Sequence, residues 1–289
     1  MHHLVWCLGT IFSSMALTAI LRSIFNRFFR STTARTLYDE FAGNFVCAVA
    51  LMELLVLTFA KHNTYIFFAS TYLVLFVRNV YFTYLQLYES PLIFVDLYYG
   101  RGRRNHFTSL QIFNIIVVQS VACIVGQLYI KYAWPLLDPV HQAASKENCL
   151  TTMSHHHSWY ECFALEMLGT FGCTAFDFLM PVSAKPFTRP LLLCFALNYF
   201  GHVTGAWMNP MLATSFTFRC HGHDSDFMHF VVFWAAPFVG FALAWELNLF
   251  VKNLLTPSAD SLEKETNETE TEVETEMQTN GEDGKEKTE

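Results

Sequence analysis

Charged side chains are scarce in this chain. Asp, Glu, Lys and Arg make up 15% of its 289 residues, against about 25% in an ordinary soluble domain. Hydrophobic residues reach 53% and the mean hydropathy is +0.28, which excludes a conventional soluble globule. The charge that exists is unevenly placed. From Pro257 to the end there are 12 Asp and Glu against 3 Lys, so the body before it carries +2 of the net −7. No basic field invites nucleic acid. The eight cysteines contain no CxxC pair, so neither a zinc ribbon nor a dense disulfide scaffold is indicated. No His/Asp/Glu cluster converges as an enzyme would need, and no metal or cofactor is expected. What remains is an integral, multi-pass membrane protein.

Seven apolar stretches are long enough to cross a bilayer of about 30 Å: Leu4–Leu21, Tyr38–Ala60, Tyr65–Leu87, Phe107–Tyr132, Trp159–Met180, Leu191–Met208 and Phe227–Leu249. The first is followed by Arg22, Arg27, Arg30 and Arg35. A cleaved signal peptide carries its positive charge first, so a retained N-terminal helix is the preferred reading over a cleaved or peripheral segment. Arg22–Arg35, Arg101–Arg104, Lys185/Arg189 and Lys252 then all fall on the cytosolic side. The loops around Lys61, His155 and His221 fall on the other. Three consecutive histidines, His155 to His157, read as a solvated loop, since neighbours in a loop do not converge on one ion. Past Pro257 the Glu/Thr-rich tail cannot bury enough apolar surface to fold, and its sequon at Asn267 stays unglycosylated if the tail is cytosolic. The expected division is therefore an N-terminal helix and basic linker (1–36), a channel-like body (37–256) and a disordered acidic tail (257–289).

Two further apolar runs are too short to cross. Met211–Phe218 is eight residues, about 12 Å of helix, and Asn209-Pro210 opens it. Leu92–Tyr99 is its counterpart, opened by Ser90-Pro91. Asn and Ser both cap helices well, and Pro at the first helical position loses no hydrogen bond. The pairing is part of a repeat. Glu40, Gly43 and Phe45 match Glu166, Gly169 and Phe171 at one offset, and Ser90-Pro91 matches Asn209-Pro210 further on. The halves, 37–132 and 159–252, each hold three spans and one stub. An odd number of spans inserts them upside down relative to each other, and paired interrupted segments point to a site near the membrane midplane.

The glutamate-bearing helix in each half, Thr204-Gly205 before Asn209-Pro210, and Phe233-Trp-Ala-Ala-Pro-Phe-Val-Gly240 resemble the aquaporin (major intrinsic protein) family over about Leu4 to Lys252. The nearest likeness is its unorthodox aquaporin-11/12-like (superaquaporin) branch, which has an extra N-terminal apolar segment, a degenerate first Asn-Pro-Ala box, Leu after the second box, and a Cys at the position of Cys220. The resemblance implies an all-α inverted-repeat bundle of six transmembrane helices and two re-entrant half-helices, with an extra N-terminal transmembrane helix. It implies pore boxes at Ser90, Pro91, Leu92 and at Asn209, Pro210, Met211. Ser90 offers one rotatable O–H where an Asn offers an amide. Leu92 and Met211 replace the small third residues and are expected to crowd the junction. The filter arginine position reads Leu212, the filter histidine position Leu197, and Ala206 aligns with the small filter residue; no filter residue can be aligned on the third span. The expected pore is wider, more apolar and less selective.

Glu40 and Glu166 sit inside spans, where an ionisable group is expensive and faces the protein interior. The resemblance gives them a structural role, each carboxylate accepting hydrogen bonds from a half-helix loop; the alternative is a proton relay. Glu53 has no counterpart and is expected near an interface with water. Gly201/Gly205 and Gly169/Gly172 read as close-packing positions. Cys149 and Cys220 share the lumenal side and are expected to form a disulfide, while Cys47, Cys123, Cys162, Cys173 and Cys194 read as small buried apolar residues. The functional expectation is a passive channel for water and small neutral solutes such as glycerol or hydrogen peroxide. It is not an enzyme and takes no cofactor. It would be a homotetramer in contact with membrane lipid, in the endoplasmic reticulum rather than the plasma membrane. The alternative is a non-conducting scaffold or assembly factor that kept the fold.

Overall fold

The computed structural model describes residues 2–59, 64–85, 87, 90–92, 95, 108–146, 153, 156–220 and 225–255. Cys149, the Arg101–Arg104 loop, most of the stub Leu92–Tyr99, His155 and the tail from Pro257 lie outside them. Two units divide the chain, Met1–Trp245 and Glu246–Glu289. The first holds the helical bundle. In the second, the described residues 246–255 are helical.

No strand occurs among the described residues. The helices are α1 (His2–Phe28), α2 (Thr32–Phe59), α3 (Thr64–Leu85), α4 (Ser109–Ala133), α5 (Pro139–Lys146), α6 (Trp159–Leu179), α7 (Lys185–Thr204), α8 (Pro210–Thr217), α9 (Asp226–Phe230) and α10 (Ala236–Leu255), with a 3₁₀ turn at Trp134–Leu136 and a π-helical turn at Val231–Ala235. Six of these segments are long and apolar enough to span: α1, α2, α3, α4 with its 3₁₀ turn, α6, and the run α9 to α10. A seventh helix, α7, is 20 residues long but carries two prolines and two cations in its first turns. The first unit is an all-helical bundle. Its centre is α2, which packs against α1, α3 and most extensively α4. The short α8 packs on α4, and α3 packs on α7, so each half of the chain closes on the other.

The N-terminal helix α1 is tied in along one stripe. Cys7, Ile11, Ser14 and Thr18 are buried at three- and four-residue spacing, while Val5, Phe12 and Ile20 are exposed. That is the pattern of a helix packed on one side and lipid-facing on the other. The Thr18 hydroxyl meets Tyr81 Oη at 2.6 Å. Near its other end Arg22 grips Asp39 with two hydrogen bonds, at 2.6 and 2.9 Å.

Several boundaries differ from the sequence expectation, each for a local reason. α7 begins at Lys185, not Leu191, because Lys185 and Arg189 both reach back to Asp177 on α6 and so need no aqueous loop. It ends at Gly205, whose φ of 87° is the left-handed stop that glycine tolerates. The stretch after α4 is not wholly a loop. Asp138 caps α5 by accepting from Val140 N at 2.8 Å and His141 N at 3.2 Å, with Pro139 at the first position. Burial raises the Asp138 carboxyl, but hydrogen bonds from the rings of His141 and His3 and from the α5 backbone outweigh it and hold it at about 2. In the last span, Pro237 lacks an N–H, and the turn before it widens to π geometry, with Ala236 N reaching Val231 O.

The glycines divide differently from expectation. A Cβ on Gly169 would meet Met208 Sδ at 3.1 Å, but Gly172 and Gly201 have nothing within 4 Å. A tight backbone contact is elsewhere. A Cβ on Gly240 would stand 2.2 Å from the Met167 carbonyl oxygen, so α10 and α6 touch there backbone to backbone.

Candidate functional site

The second stub forms as its sequence dictates. Asn209, in extended conformation, accepts at Oδ1 from Met211 N at 3.0 Å and Leu212 N at 3.4 Å, and Pro210 starts α8. The cap leaves the helix N-terminus, with about half a positive charge, at the cavity wall that Asn209 lines. In the other half, Ser90 Oγ accepts from Leu92 N at 3.2 Å, and Val95 N donates to Leu92 O at 2.9 Å. Ser90 thus caps the start of a turn in the way Asn209 does. Pro91 and Pro210 are buried beside their caps.

The loop into α8 is strained and clamped. Ala206 and Met208 have φ of 48° and 46°, a left-handed conformation that costs an L-residue roughly 1–2 kcal/mol each. Glu166, buried on α6, holds the loop with its carboxylate: Oε1 accepts from Trp207 N at 3.1 Å and Oε2 from Met208 N at 2.8 Å. Thr204 adds a side-chain hydrogen bond to Glu166, and its Oγ1 accepts from Ala206 N at 3.1 Å. Glu40, the repeat partner, is equally buried and accepts from Gln119 Nε2 at 2.9 Å; the loop it would serve lies mostly outside the described residues.

A cavity of about 1340 Å³ brings many of the expected residues together. Ser90, Leu92, Asn209 and Leu212 line it, and so do Leu197 and Ala206. Met211 does not. It turns into the core, its Sδ 2.9 Å from Ser120 Oγ on α4, among Ala48, Cys123 and Leu87. The expected crowding of the junction by Met211 is therefore absent from the cavity, whereas Leu92 contributes to its wall.

Sequence reasoning missed the α3 wall. Phe67, Thr71, Leu75, Arg78 and Asn79 all line the cavity. Arg78 is buried, with its Nε 3.2 Å from Cys47 Sγ and its guanidinium 4.3 Å from the Phe82 ring centroid. The signal was present: Arg78 is the lone charged residue in Tyr65–Leu87. Trp207 was also missed; it lines the cavity and stacks on Phe216 with centroids 5.7 Å apart.

Other expectations fall away from this cavity. Glu53 is not near water but fully buried, with His141 Nε2 2.9 Å from one oxygen and Trp134 Nε1 3.0 Å from the other. Cys47, Cys123, Cys162, Cys173 and Cys194 are not disulfide-bonded, and Cys173 is only half-buried. Cys220 is buried and disulfide-bonded; its expected partner, Cys149, is outside the described residues.

The sequence model of one family, described as Major intrinsic protein, matches residues 102–246, half of the chain. No curated protein matches. The matched region holds Asn209-Pro210, the Glu166 clamp and the first part of the last span, and begins after Ser90-Pro91.

Proposed function

The chain belongs to the major intrinsic protein family, whose members are membrane channels, and we propose that it is a passive channel for water and small neutral solutes of the superaquaporin-like kind. One observation carries this reading: the capping residues of both stubs, Ser90 and Asn209, line a single cavity. Two helix N-termini facing one passage disfavour cations and protons there. With Asn209 Oδ1 engaged by its cap, its amide NH₂ is the group that can donate to a passing water oxygen. Ser90 offers a single hydroxyl, so the orientation imposed on a water file is weaker on its side. The degenerate first box, Leu212 after the second box and the added helix α1 favour the superaquaporin-like branch.

The filter positions Leu197, Ala206 and Leu212 place no hydrogen-bonding side chain at the constriction. An apolar wall of this kind passes water slowly and discriminates poorly against glycerol or hydrogen peroxide, both of which we include among the solutes. Arg78 supplies positive charge to the wall that a filter arginine would otherwise give. Glu40 and Glu166 serve as structural carboxylates, not as a relay. Assembly as a homotetramer within membrane lipid, and residence in the endoplasmic reticulum, complete the proposal.

Stopped-flow shrinkage of proteoliposomes tests it. Water, glycerol or peroxide flux should exceed that of empty vesicles, with no ion conductance. No excess flux of any of the three would leave the non-conducting scaffold as the reading.

A further inference from the structure

Cys7 on α1, Glu53 on α2 and His141 on α5 are far apart in sequence yet meet at the end of the bundle remote from the Arg22–Asp39 pair. All three are fully buried, and none lines the cavity of the proposed channel. One atom from each, Cys7 Sγ, a Glu53 carboxylate oxygen and a His141 ring nitrogen, lies within 4.8 Å of the other two. We infer that these three side chains form a binding site for one divalent cation of borderline-soft character, of which zinc is the type.

The spacing fits. A tetrahedral ion with bonds of about 2.3 Å to sulfur and 2.0–2.1 Å to nitrogen and oxygen sets its S···N distance near about 3.6 Å and its N···O distance near about 3.3 Å. Here Cys7 Sγ to His141 Nε2 is 3.8 Å and His141 Nε2 to Glu53 Oε2 is 2.9 Å. Both differ from the tetrahedral values by less than about half an ångström, and Cys7 Sγ lies within 4.8 Å of the Glu53 carboxylate oxygen.

The surrounding groups are those that orient metal ligands. Asp138 Oδ2 stands 3.1 Å from His141 Nδ1, which favours the tautomer with its proton on Nδ1 and leaves Nε2 as the ligand. Trp134 Nε1 holds the second Glu53 oxygen. His3 Nδ1 in turn meets Asp138 at 3.2 Å. A thiolate, an imidazole and a carboxylate together select zinc-like ions over magnesium or calcium, which prefer oxygen alone. Three protein ligands leave a fourth position for water. Trp134, which holds Glu53, and Ala144 both line the cavity. Coordination takes the thiol proton from Cys7 and the proton held between His141 Nε2 and Glu53 Oε2, and releases both to solvent. Its structural effect is to join α1, α2 and α5 at one point.

Cobalt(II) is the probe. The full chain, purified in detergent, treated with chelator and desalted, should bind one Co²⁺ per chain and show an intense thiolate-to-cobalt charge-transfer band that Zn²⁺ abolishes by displacement. Cys7→Ser should lose that band, His141→Gln should weaken binding at least tenfold, and Cys162→Ser, at a buried thiol elsewhere, should keep both. Absence of saturable Co²⁺ binding to the wild-type chain would overturn the site and leave an ion-pair cluster only. A band that survives in Cys7→Ser would overturn it equally, since the wild-type titration does not depend on the folding of any variant.

Discussion

Replacing Glu166 by Gln tests whether one buried carboxylate holds the entrance to α8. The wild-type group accepts two backbone hydrogen bonds, at 3.1 and 2.8 Å. Gln keeps one carbonyl oxygen and turns an NH₂ toward the other N–H, so one bond is lost and the remaining one becomes neutral. Bonds to a charged group contribute about 1.5–3 kcal/mol and neutral ones about 1 kcal/mol. The gross loss is therefore about 2–5 kcal/mol. Part is regained because Gln is cheaper to bury than a carboxylate, and part because the loop relaxes from its two left-handed residues. A net fall near about 2 kcal/mol is expected, which at roughly 2–4 °C per kcal/mol for a chain of this size lowers Tm by about 4–8 °C. Flux per protein should fall too, because Ala206, Trp207, Met208 and Asn209 all line the cavity and lose their fixed positions. Thermal unfolding in detergent and stopped-flow flux read the two effects. Adding Ala206→Gly to the Gln variant, which suits φ 48°, should recover some stability. An unchanged Tm together with unchanged flux would refute the clamp.

Four further outcomes follow from the same geometry. Gly240→Ala pushes a methyl to 2.2 Å from the Met167 carbonyl; helix separation should cost about 1–3 kcal/mol, seen as a lower Tm in detergent. Asn209→Ser keeps the cap and should change stability by less than about 0.5 kcal/mol, while water flux falls and proton leak rises in pH-dye-loaded vesicles. Arg78→Met removes a buried cation from the cavity wall, and cation leak under an imposed potential should rise several-fold. Cys149→Ser should alter non-reducing gel mobility and lower Tm; a loop of about 70 residues corresponds to roughly 4 kcal/mol in the chain-entropy model, and an unshifted band would argue against the Cys149–Cys220 pairing.

The elements most legible in the sequence were those whose cause is local. Asn209-Pro210 announces a capped helix whatever surrounds it, and Glu166 stood out because a repeat supplied Glu40 as its mate. The start of α7 was misjudged because Lys185, Pro186, Arg189 and Pro190 look like a loop. Asp177 sits eight and twelve residues upstream, and only the turn between α6 and α7 shows that it pairs with both cations. The helix α5 was hidden although Asp138-Pro139 is a good start signal, because eight residues of mixed polarity show no apolar stripe of their own. Glu53 could not be read at all. Its partners His141 and Trp134 lie more than eighty residues away, and no spacing rule links them.

The two boxes also show why matching motifs do not place matching side chains. Leu92 and Met211 hold the same position in their boxes, yet Leu92 is on the cavity wall and Met211 is in the core. The Asn209 cap fixes the phase of α8 by binding the N–H groups of Met211 and Leu212. Neighbours on a helix point about 100° apart, so once Leu212 faces the cavity Met211 must turn aside, and Ser120 and Cys123 on α4 receive it. A large residue after the second Pro is then tolerated by packing and stays off the cavity wall. That wall is formed instead by Leu92, Leu212 and side chains of α3, among others. The third span offers no motif to align, and its part in the cavity becomes visible only when α3 is seen packed against α7.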